Sequence, residues 1–310
     1  MMISENALNV LAAKTYRGIG RKWINDNLRG GMSEGEIAAK LNAKGIDETV
    51  RGFALAKETV RRKIESLGAT IDGVVGLGDP DFPLINAKVK ASDRPVALFY
   101  RGDLGLIKSS ARNIAVIGSL NPDEMIRQDE AKVVAELVKQ GYCIVSGLAL
   151  GCDTVGHETT LSCGGKTVAF LSSPLSEINP PSNRGLADAI VANGGLLVSE
   201  YYEKAHSRSE FLGRYPERDR LQAIFAGAVV LAASYSQSDF GKDSGSRFAM
   251  GKAGEYGIPR YVMYNAGRDS SNPMFNLSRE EIRTGAKIVA PNDVGKVVSA
   301  QVSAQLELAF

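Results

Sequence analysis

Strand-like and helix-like segments alternate from residue 113 to residue 264, and this alternation constrains the fold more than any other feature of the chain. Short apolar runs that are typical of buried strands lie at 114–117, 142–145, 166–171, 196–199, 228–233 and 260–264. Helices are expected between and after them near 122–140, 154–162, 183–193, 218–226 and 246–256. The pattern predicts an α/β fold with a doubly wound, mostly parallel sheet. Ligands bind such sheets at the carboxyl ends of the strands.

The segment 141–165, GYCIVSGLALGCDTVGHETTLSCGG, contains the most informative strand-to-helix turn. Ser146, Gly147 and Gly151 end the apolar run, and Asp153 is predicted to cap the following helix. Free backbone N–H groups and the positive end of the helix dipole would make this turn a site for phosphate. A plain turn between a strand and a helix explains the same residues, so both interpretations stay open.

The 310 residues are predicted to form two domains. Residues 1–70 read as a small all-α domain of the SAM or helix-hairpin-helix kind, because no strand pattern occurs in 5–66. Residues 71–112 would be a connector with a strand near 95–100, and 113–290 the sheet domain. The end of the chain, 291–310, is expected to be a C-terminal helix, preceded by a short strand at 286–289.

Composition excludes several functional classes. No apolar run approaches the length of a membrane span, and the first residues lack the layout of a signal peptide. Three cysteines without a CxxC pair and only two histidines argue against disulfides and metal sites. We therefore expect a cytoplasmic protein without metal or cofactor. The net charge of +2 says little, but residues 1–66 carry 12 Lys and Arg against 8 Asp and Glu.

A Gly-x-Gly turn within the helical part is a second candidate for phosphate contact. Gly18 and Gly20 lie between two helical stretches, next to Arg17, Arg21 and Lys22. Helix-hairpin-helix units hold DNA phosphates with such turns, so these five residues are a possible DNA contact. A helix–helix turn with a solvated basic rim is the alternative.

Loops after the predicted strands supply the remaining candidates. The stretch 234–246, SYSQSDFGKDSGS, is longer than a connection requires, and Ser244, Gly245 and Ser246 directly precede a helix. Arg218 and Arg220 are placed at a helix start, where their charges oppose the helix dipole unless an anion is held nearby.

No catalytic arrangement is evident in the sequence. The dinucleotide-binding glycine motif, the P-loop and the nucleophile elbow are all absent from the chain. His157 follows Asp153 by one helical turn, so the two could pair, but a capping Asp beside a structural His is the favoured interpretation, because no nucleophile is evident. We therefore expect a protein that is not an enzyme.

Several of these strings, in order, resemble motifs of the DNA-processing protein A family (DprA, also called Smf). IAVIGSLNPDE, VSGLALGCDTVGH, GGKTVAFL, PPSNRGLADAIVANGGLLVSEYY, YPERDRL and DSGSRFAM are similar to successive family motifs over about residues 75–265. The resemblance implies a Rossmann-like fold, single-stranded DNA binding, a RecA-type recombinase as a possible partner, a homodimer and no established catalysis.

Residues matching the family motifs are the candidate phosphate-binding positions. They are Gly118, Ser119, Ser146, Gly147, Gly151, Asp153, His157, Asn183, Arg218, Arg220, Ser244 and Gly245, with Ser246 added from the loop pattern. The chain departs from the family at Leu120 and Leu150, where arginines are usual, and at Asp219, where asparagine is usual. Each lost phosphate contact would lower affinity and its salt dependence.

Two other functions stay open. One is a nucleotide-binding enzyme or nucleotide-signal sensor of the wider Rossmann-like group, such as the lysine decarboxylase-like proteins. Their PGGxGTxxE signature is not matched by GKDSGSRFAMGKAGE. The other is a scaffold that binds only protein partners.

Overall fold

The computed structural model describes residues 1–239, 245–295 and 298, and within them ten strands form one sheet. The strands are β1 (Met2–Ile3), β2 (Gly73–Gly76), β3 (Ala97–Gly102), β4 (Asn113–Ile117), β5 (Cys143–Ser146), β6 (Thr167–Leu171), β7 (Leu196–Ser199), β8 (Ala228–Leu231), β9 (Arg260–Met263) and β10 (Lys287–Val289). Their order across the sheet is β1-β2-β3-β7-β6-β5-β4-β8-β9-β10.

The predicted parallel sheet is confirmed. Strands β4 to β10 run parallel to one another, and the six strands predicted between 113 and 264 match β4 to β9 within two residues at each end. The other edge is antiparallel, because β3 pairs antiparallel with both β2 and β7. Strand β2 was not predicted, since four residues flanked by turns carry little periodicity.

Helices cover both faces of the sheet. They are α1 (Glu5–Lys14), α2 (Arg21–Asn27), α3 (Glu34–Ala43), α4 (Val50–Glu65), α5 (Glu124–Lys139), α6 (Cys152–Ser162), α7 (Arg184–Ala192), α8 (Arg208–Ile224), α9 (Ser246–Tyr256), α10 (Ala266–Asp269) and α11 (Asn276–Arg283). Alternate β4 residues face opposite layers: Ile114 shares a buried cluster with α5, and Ile117 shares one with α8 and α9. This is the doubly wound arrangement that the alternation predicts.

Helices α1 to α4 pack against the antiparallel edge of the sheet. Strand β1 pairs parallel with β2, and residues of α1 share a buried apolar cluster with Phe99 and Leu197 of the sheet. The division into units at residues 70, 112 and 290 stays a prediction. The predicted helix over 291–310 lies largely outside the described residues. No helix in the described part of the chain combines the length and apolarity needed to cross a bilayer.

Glu130 of α5 is a buried carboxyl group between helices. It is 0% exposed. Burial raises the pKa of Glu130 well above its usual value, because the charged form would lose its hydration and the Cys152 thiol and the charge of Arg127 offset that loss only in part. Glu130 is therefore protonated in the folded protein at pH values where the unfolded chain is ionised.

Replacing Glu130 with glutamine should make the protein more stable at neutral pH. The pKa of Glu130 is higher in the folded protein than in the unfolded chain, where it is about 4.3. Its contribution to stability is therefore complete below pH ~4.3, where both states are protonated. That contribution is lost as the pH rises toward the folded pKa, because only the unfolded chain can ionise the group there. The difference in unfolding free energy between Glu130→Gln and wild type should grow with pH by up to about 1.4 kcal/mol per unit.

Urea unfolding between pH 4 and pH 8 measures this difference. Glu158→Gln, an exposed change on α6, is the control and should show no such trend. If the difference in unfolding free energy between Glu130→Gln and wild type were constant with pH, the pKa of Glu130 would not be raised in the folded protein.

Candidate functional site

A cavity of about 520 Å³ opens at the carboxyl ends of the parallel strands. Strand β4 is where the strand order reverses, with β5 to β7 on one side and β8 to β10 on the other, and the cavity lies beside this reversal. The lining residues come from the carboxyl ends of the strands and the loops after β4, β5, β6 and β8, and from α6, α8 and α9; they are Ile117, Gly118, Leu120, Gly147, Ala149, Leu150, Asp153, Ser172, Asn179, Pro180, Leu212, Tyr215, Pro216, Arg218, Asp219, Gln222, Gly245, Ser246 and Phe248.

The loop between β5 and α6 is held by the Asp153 carboxylate. Its Oδ2 accepts hydrogen bonds from the backbone N–H of Gly147 at 3.1 Å and of Ala149 at 3.2 Å. The prediction that Asp153 is the helix N-cap is wrong: α6 begins at Cys152, and Gly151 is the N-cap. The carboxylate turns back onto the preceding loop because that loop curls over the first turn of the helix. Two of the amides expected to bind phosphate are thus occupied.

Asn183 fixes the same loop from the opposite side. Its side-chain amide donates to the carbonyls of Leu148 at 2.9 Å and Ala149 at 3.2 Å, and to the Thr154 hydroxyl at 2.9 Å. Leu148 has a φ of 58°, a left-handed conformation that is uncommon for a branched side chain and that must be held by its surroundings. Asn183 therefore does not line the cavity; it holds the conformation of the loop that does.

Glycine is required at two positions of the loop. Gly151 has a φ of 73°, and a Cβ there would collide with the carbonyl oxygens of Ser119 and Leu120. A Cβ on Gly147 would collide with the guanidinium of Arg218. The glycines thus serve close packing of the two loops, with Arg218 filling the space above Gly147.

Arg218 and Arg220 point to different parts of the molecule. Arg218 lines the cavity, donates to the carbonyl of Gly147, and pairs with Asp219 at 2.9 Å and with Asp153 at 3.7 Å. Arg220 lies away from the cavity and is 2% exposed. The prediction that both begin a helix is wrong, because α8 starts at Arg208 and both arginines lie in its second half. The expected conflict with the helix dipole therefore does not arise.

Arg220 belongs to a buried ion network that joins α2 to α8. Its guanidinium pairs with Glu200 at 2.5 Å and Glu217 at 3.1 Å, and Arg21 pairs with Glu217 at 2.6 Å. Burial alone would raise the pKa of Glu200, but Arg220, Arg21 and Lys14 outweigh it and hold that pKa below its usual value. Arg21, which the sequence predicts as a DNA contact, thus also connects helices.

The other residues of the Gly-x-Gly turn are exposed. Gly18 has a φ of 83°, Gly20 is the N-cap of α2, and Arg17 is exposed. Lys22 forms an exposed pair with Asp26. A role of this turn in DNA contact stays a prediction.

Three further candidate side chains lie behind the cavity wall. His157 is 0% exposed, and its Nδ1 lies 2.7 Å from the Thr167 hydroxyl, so the predicted pairing with Asp153 is wrong. Burial, reinforced by the charge of Arg218, lowers the pKa of His157 to about 3. Ser146 is equally buried and donates to the Val116 carbonyl. Ser119 is 4% exposed, and its hydroxyl accepts from the backbone of Asn121.

The loop before α9 reaches the cavity from the β8 side. Gly245, with a φ of 81°, and Ser246 both line it, and the Ser246 hydroxyl donates to the Gly118 carbonyl at 3.1 Å. Gly118 also lines the cavity. Ser244 lies outside the described residues. Of the predicted positions, Gly118, Gly147, Asp153, Arg218, Gly245 and Ser246 thus meet around one cavity.

The structure adds an apolar rim that the sequence analysis did not foresee. Leu120, Leu150 and Leu212 are 43%, 47% and 53% exposed, and Tyr215 and Phe248 lie beside them. Leu212 and Tyr215 were missed because the helix was predicted to begin after Pro216. A capping pattern could have revealed the earlier start, since Ser207 accepts from the backbone N–H of Glu210 at 3.1 Å.

Arginines also occupy the true helix starts at this edge. Arg184 and Arg208 are the first residues of α7 and α8, and Arg247 is the second residue of α9. These helices follow the parallel strands β6, β7 and β8, so all three first turns lie at the carboxyl edge of the sheet. Positive charge at a helix N-terminus is unfavourable unless an anion is held there.

Comparison with known sequences identifies the family. The model of the family described as DNA recombination-mediator protein A matches residues 73–299. The chain belongs to this family. Protein Smf of Synechocystis sp. is 35% identical over 155 residues, which are 49% of this chain and 37% of Smf. DNA processing protein DprA of Streptococcus pneumoniae is 35% identical over 146 residues, which are 47% of this chain and 49% of DprA. The match thus spans about half of these relatives or less.

Solved structures agree on the fold. The X-ray structure of S. pneumoniae DprA superposes with a TM-score of 0.72 at 23% identity, covering 95% of this chain and 98% of DprA. A structure of Helicobacter pylori DNA processing protein A, reported for its single-stranded DNA binding mode, gives a TM-score of 0.58 at 24% identity and covers 74% and 96% of the two chains. These likenesses confirm the Rossmann-like fold of this DprA/Smf family member.

Truncating Asn183 should destabilise the protein and loosen the cavity wall. Asn183→Ala removes the side-chain donor of the buried Leu148 carbonyl and the bonds to the half-buried Ala149 and Thr154, so the free energy of unfolding should fall by about 1–3 kcal/mol. Urea unfolding measures this. Asn193→Ala, which removes one exposed bond to the Ala189 carbonyl, should cost less than about 1 kcal/mol. Equal losses would mean that the Asn183 contacts do not hold the loop.

Removing Arg220 should affect stability through its buried carboxylate partner. Arg220→Ala leaves Glu200 with Arg21 at 3.8 Å, so unfolding should become easier by about 3 kcal/mol. Lys22→Ala, which breaks an exposed pair, is the control and should cost under about 1 kcal/mol. Thermal and urea unfolding in the absence of DNA distinguish the two. An unchanged unfolding curve for Arg220→Ala would show that the network is not stabilising.

Proposed function

We propose that this protein binds single-stranded DNA as a DNA-processing and recombination-mediator protein, without catalytic turnover. The observation that carries the proposal is the family match over residues 73–299, which contains the whole cavity and its loops. The relatives named DNA processing protein, and the H. pylori relative described by its single-stranded DNA binding mode, support the same ligand. In this proposal the carboxyl edge of the sheet is the DNA-binding surface.

Phosphates are held by the arginines at the helix starts. Arg184 and Arg208 are exposed and form no ion pair with any described residue, so they are available to an anionic backbone. Arg208 lines a second cavity of about 480 Å³, which shares Ser172 and Asn179 with the first. The two cavities are therefore neighbours. A phosphate near these residues would relieve their unfavourable interaction with the helix dipoles.

The predicted glycine turns contribute to this surface mainly by shape. Gly118, Gly147 and Gly245 line the first cavity, and Ser246 supplies a hydroxyl beside them. Arg218 is almost fully occupied by carboxylates and carbonyls, so it orients the loop that the DNA contacts. A homodimer, a RecA-type recombinase as partner and a cytoplasmic location complete the proposal.

A second function is favoured by one observation. The cavity volume of about 520 Å³ lies in the usual range of small-molecule sites, and leucines occupy its rim where the family motifs carry arginines. A nucleotide-binding sensor or enzyme of the wider Rossmann-like group would use such a cavity. Binding of free nucleotides without binding of oligonucleotides would support this alternative.

Neutralising the three helix-start arginines should weaken DNA binding and its salt dependence. The variant Arg184→Gln, Arg208→Gln and Arg247→Gln removes three phosphate contacts. The slope of log affinity against log salt should fall by about 2, because each single-strand contact contributes about 0.7. Affinity for a fluorescent oligothymidine at low salt should fall at least tenfold, as measured by anisotropy at several salt concentrations.

The control variant removes the same number of positive charges, but from the last turns of helices rather than from their first turns. Arg62, Lys139 and Arg283 lie in the last turns of α4, α5 and α11, so their glutamine variants alter the net charge equally. The control should bind like wild type. Equal weakening in both triple variants would reject a binding surface at the carboxyl edge, and no oligonucleotide binding by wild type would reject the proposed function.

A further inference from the structure

We propose that a separate cavity, between α1 and the segment that follows β7, binds a small monocarboxylate through the ammonium group of Lys14. This cavity has a volume of about 270 Å³ and shares no lining residue with the cavity beside β4. The ligand would bridge the N-terminal helices and the sheet. The proposal goes beyond the proposed function and does not depend on DNA binding.

The cavity is formed by two parts of the chain that are distant in sequence. Leu11 and Lys14 of α1 line one side, together with Lys63 at the end of α4. Residues 200–203, which follow β7, and residues of α8 line the other side. The ion pair between Lys63 and Glu203, at 2.8 Å, joins the two sides. A ligand in this cavity therefore contacts the helical part and the sheet part at once.

The carboxylates of the cavity wall are already paired. The pairs are Glu200 with Arg220, Glu203 with Lys63 and Glu210 with Arg214, at 2.5, 2.8 and 2.6 Å. Arg214 also donates to the Glu203 carbonyl at 2.8 Å, and its guanidinium lies 4.0 Å from the centre of the Tyr201 ring. A cationic ligand would have to break one of these pairs, so the wall does not favour a cation.

Three hydrogen-bond donors of the lining are free, in contrast to the carboxylates. Lys14 is exposed, and its ammonium forms no hydrogen bond or ion pair with any residue that the structure describes. Within the same part of the chain, the Tyr201 hydroxyl and the His206 ring also lack a hydrogen-bond partner. A carboxylate accepts hydrogen bonds from all three kinds of group. A charge-assisted bond to Lys14 is the strongest of them.

The charge of the ion pairs that reach the cavity selects a monoanion. The cations are Lys14, Arg21, Lys63, Arg214 and Arg220, and the carboxylates are Glu200, Glu203, Glu210 and Glu217. Five cations against four carboxylates leave one positive charge, which is that of Lys14. One carboxylate neutralises this charge, whereas a doubly charged phosphate monoester would leave a negative excess.

Apolar surface in the same cavity favours a ligand with a hydrocarbon or aromatic body. Leu11 is 3% exposed and belongs to the buried cluster that contains Phe99. Tyr202 packs on Phe99 with ring centroids 5.5 Å apart and also lines the cavity. The volume of about 270 Å³ lies just below the usual range of about 300–1,000 Å³ for drug-sized ligands, which suits a single ring. Benzoate is therefore the simplest probe of the site.

Three probes of known charge and size test the proposal. Calorimetry compares benzoate with benzamide, which has the same shape without the charge, and with acetate, which has the charge without the ring. We expect benzoate to bind at least tenfold more tightly than benzamide and at least fivefold more tightly than acetate. Thermal unfolding should shift to higher temperature with rising benzoate concentration, because the ligand binds only the folded protein. Absence of benzoate binding, or equal binding of benzoate and benzamide, would overturn the proposal.

Matched variants locate the carboxylate. Lys14→Gln should lower the affinity for benzoate at least tenfold, and Lys14→Arg, which keeps the charge, should stay within about threefold of wild type. Lys44→Gln removes an exposed lysine at the end of α3 and is the control, which should bind benzoate like wild type. Unchanged benzoate affinity in Lys14→Gln, or an equal loss in Lys44→Gln, would contradict the assignment to Lys14.

A competition experiment distinguishes a small carboxylate from DNA, because a phosphodiester is also a monoanion. We expect a thymidine hexamer to leave benzoate binding unchanged, since the two cavities share no lining residue. If the hexamer displaced benzoate and Lys14→Gln weakened both ligands, the cavity would belong to the DNA path and the proposal would be wrong. If the hexamer did not bind at all while benzoate did, only the proposed function would fail.

Discussion

The buried contact of Asp153 with the backbone of the loop after β5 is the interaction on which the site depends. One carboxylate oxygen holds two amides of that loop, and Arg218 bridges the same carboxylate to Gly147 and Asp219. Because these groups are almost fully removed from water, each would be costly to leave without a partner. These contacts hold the loop in the conformation that shapes the cavity.

Helix α8 connects this site to the N-terminal helices. Its second half carries Arg218 toward the cavity and Arg220 toward Glu200, where Arg21 of α2 joins the ion network. Its first half carries Leu212 and Tyr215 to the cavity rim. A single element thus positions the wall of the site and fixes the helical part of the chain against it, which explains why Arg218 and Arg220 are buried.

The carboxyl edge of the sheet carries two kinds of surface. Arginines stand in the first turns of α7, α8 and α9. Beside them, apolar and aromatic side chains line the cavity, in which Arg218 lies against the carboxylates of Asp153 and Asp219. Both surfaces lie at the carboxyl edge of the sheet, where the doubly wound topology brings successive loops together.

The sequence by itself determined the parallel sheet from β4 to β9 and the family, because apolar runs and glycine turns at regular spacing are local signals. It also determined that Gly118, Gly147 and Gly245 would meet, since loops after parallel strands share one edge. Only the tertiary structure decided the partners of the charged side chains. Asp153, His157, Arg218 and Arg220 could be paired in several ways from their spacing alone. The choice depended on burial, because a charge enclosed by the fold takes whichever opposite charge or carbonyl the packing of distant segments brings to it.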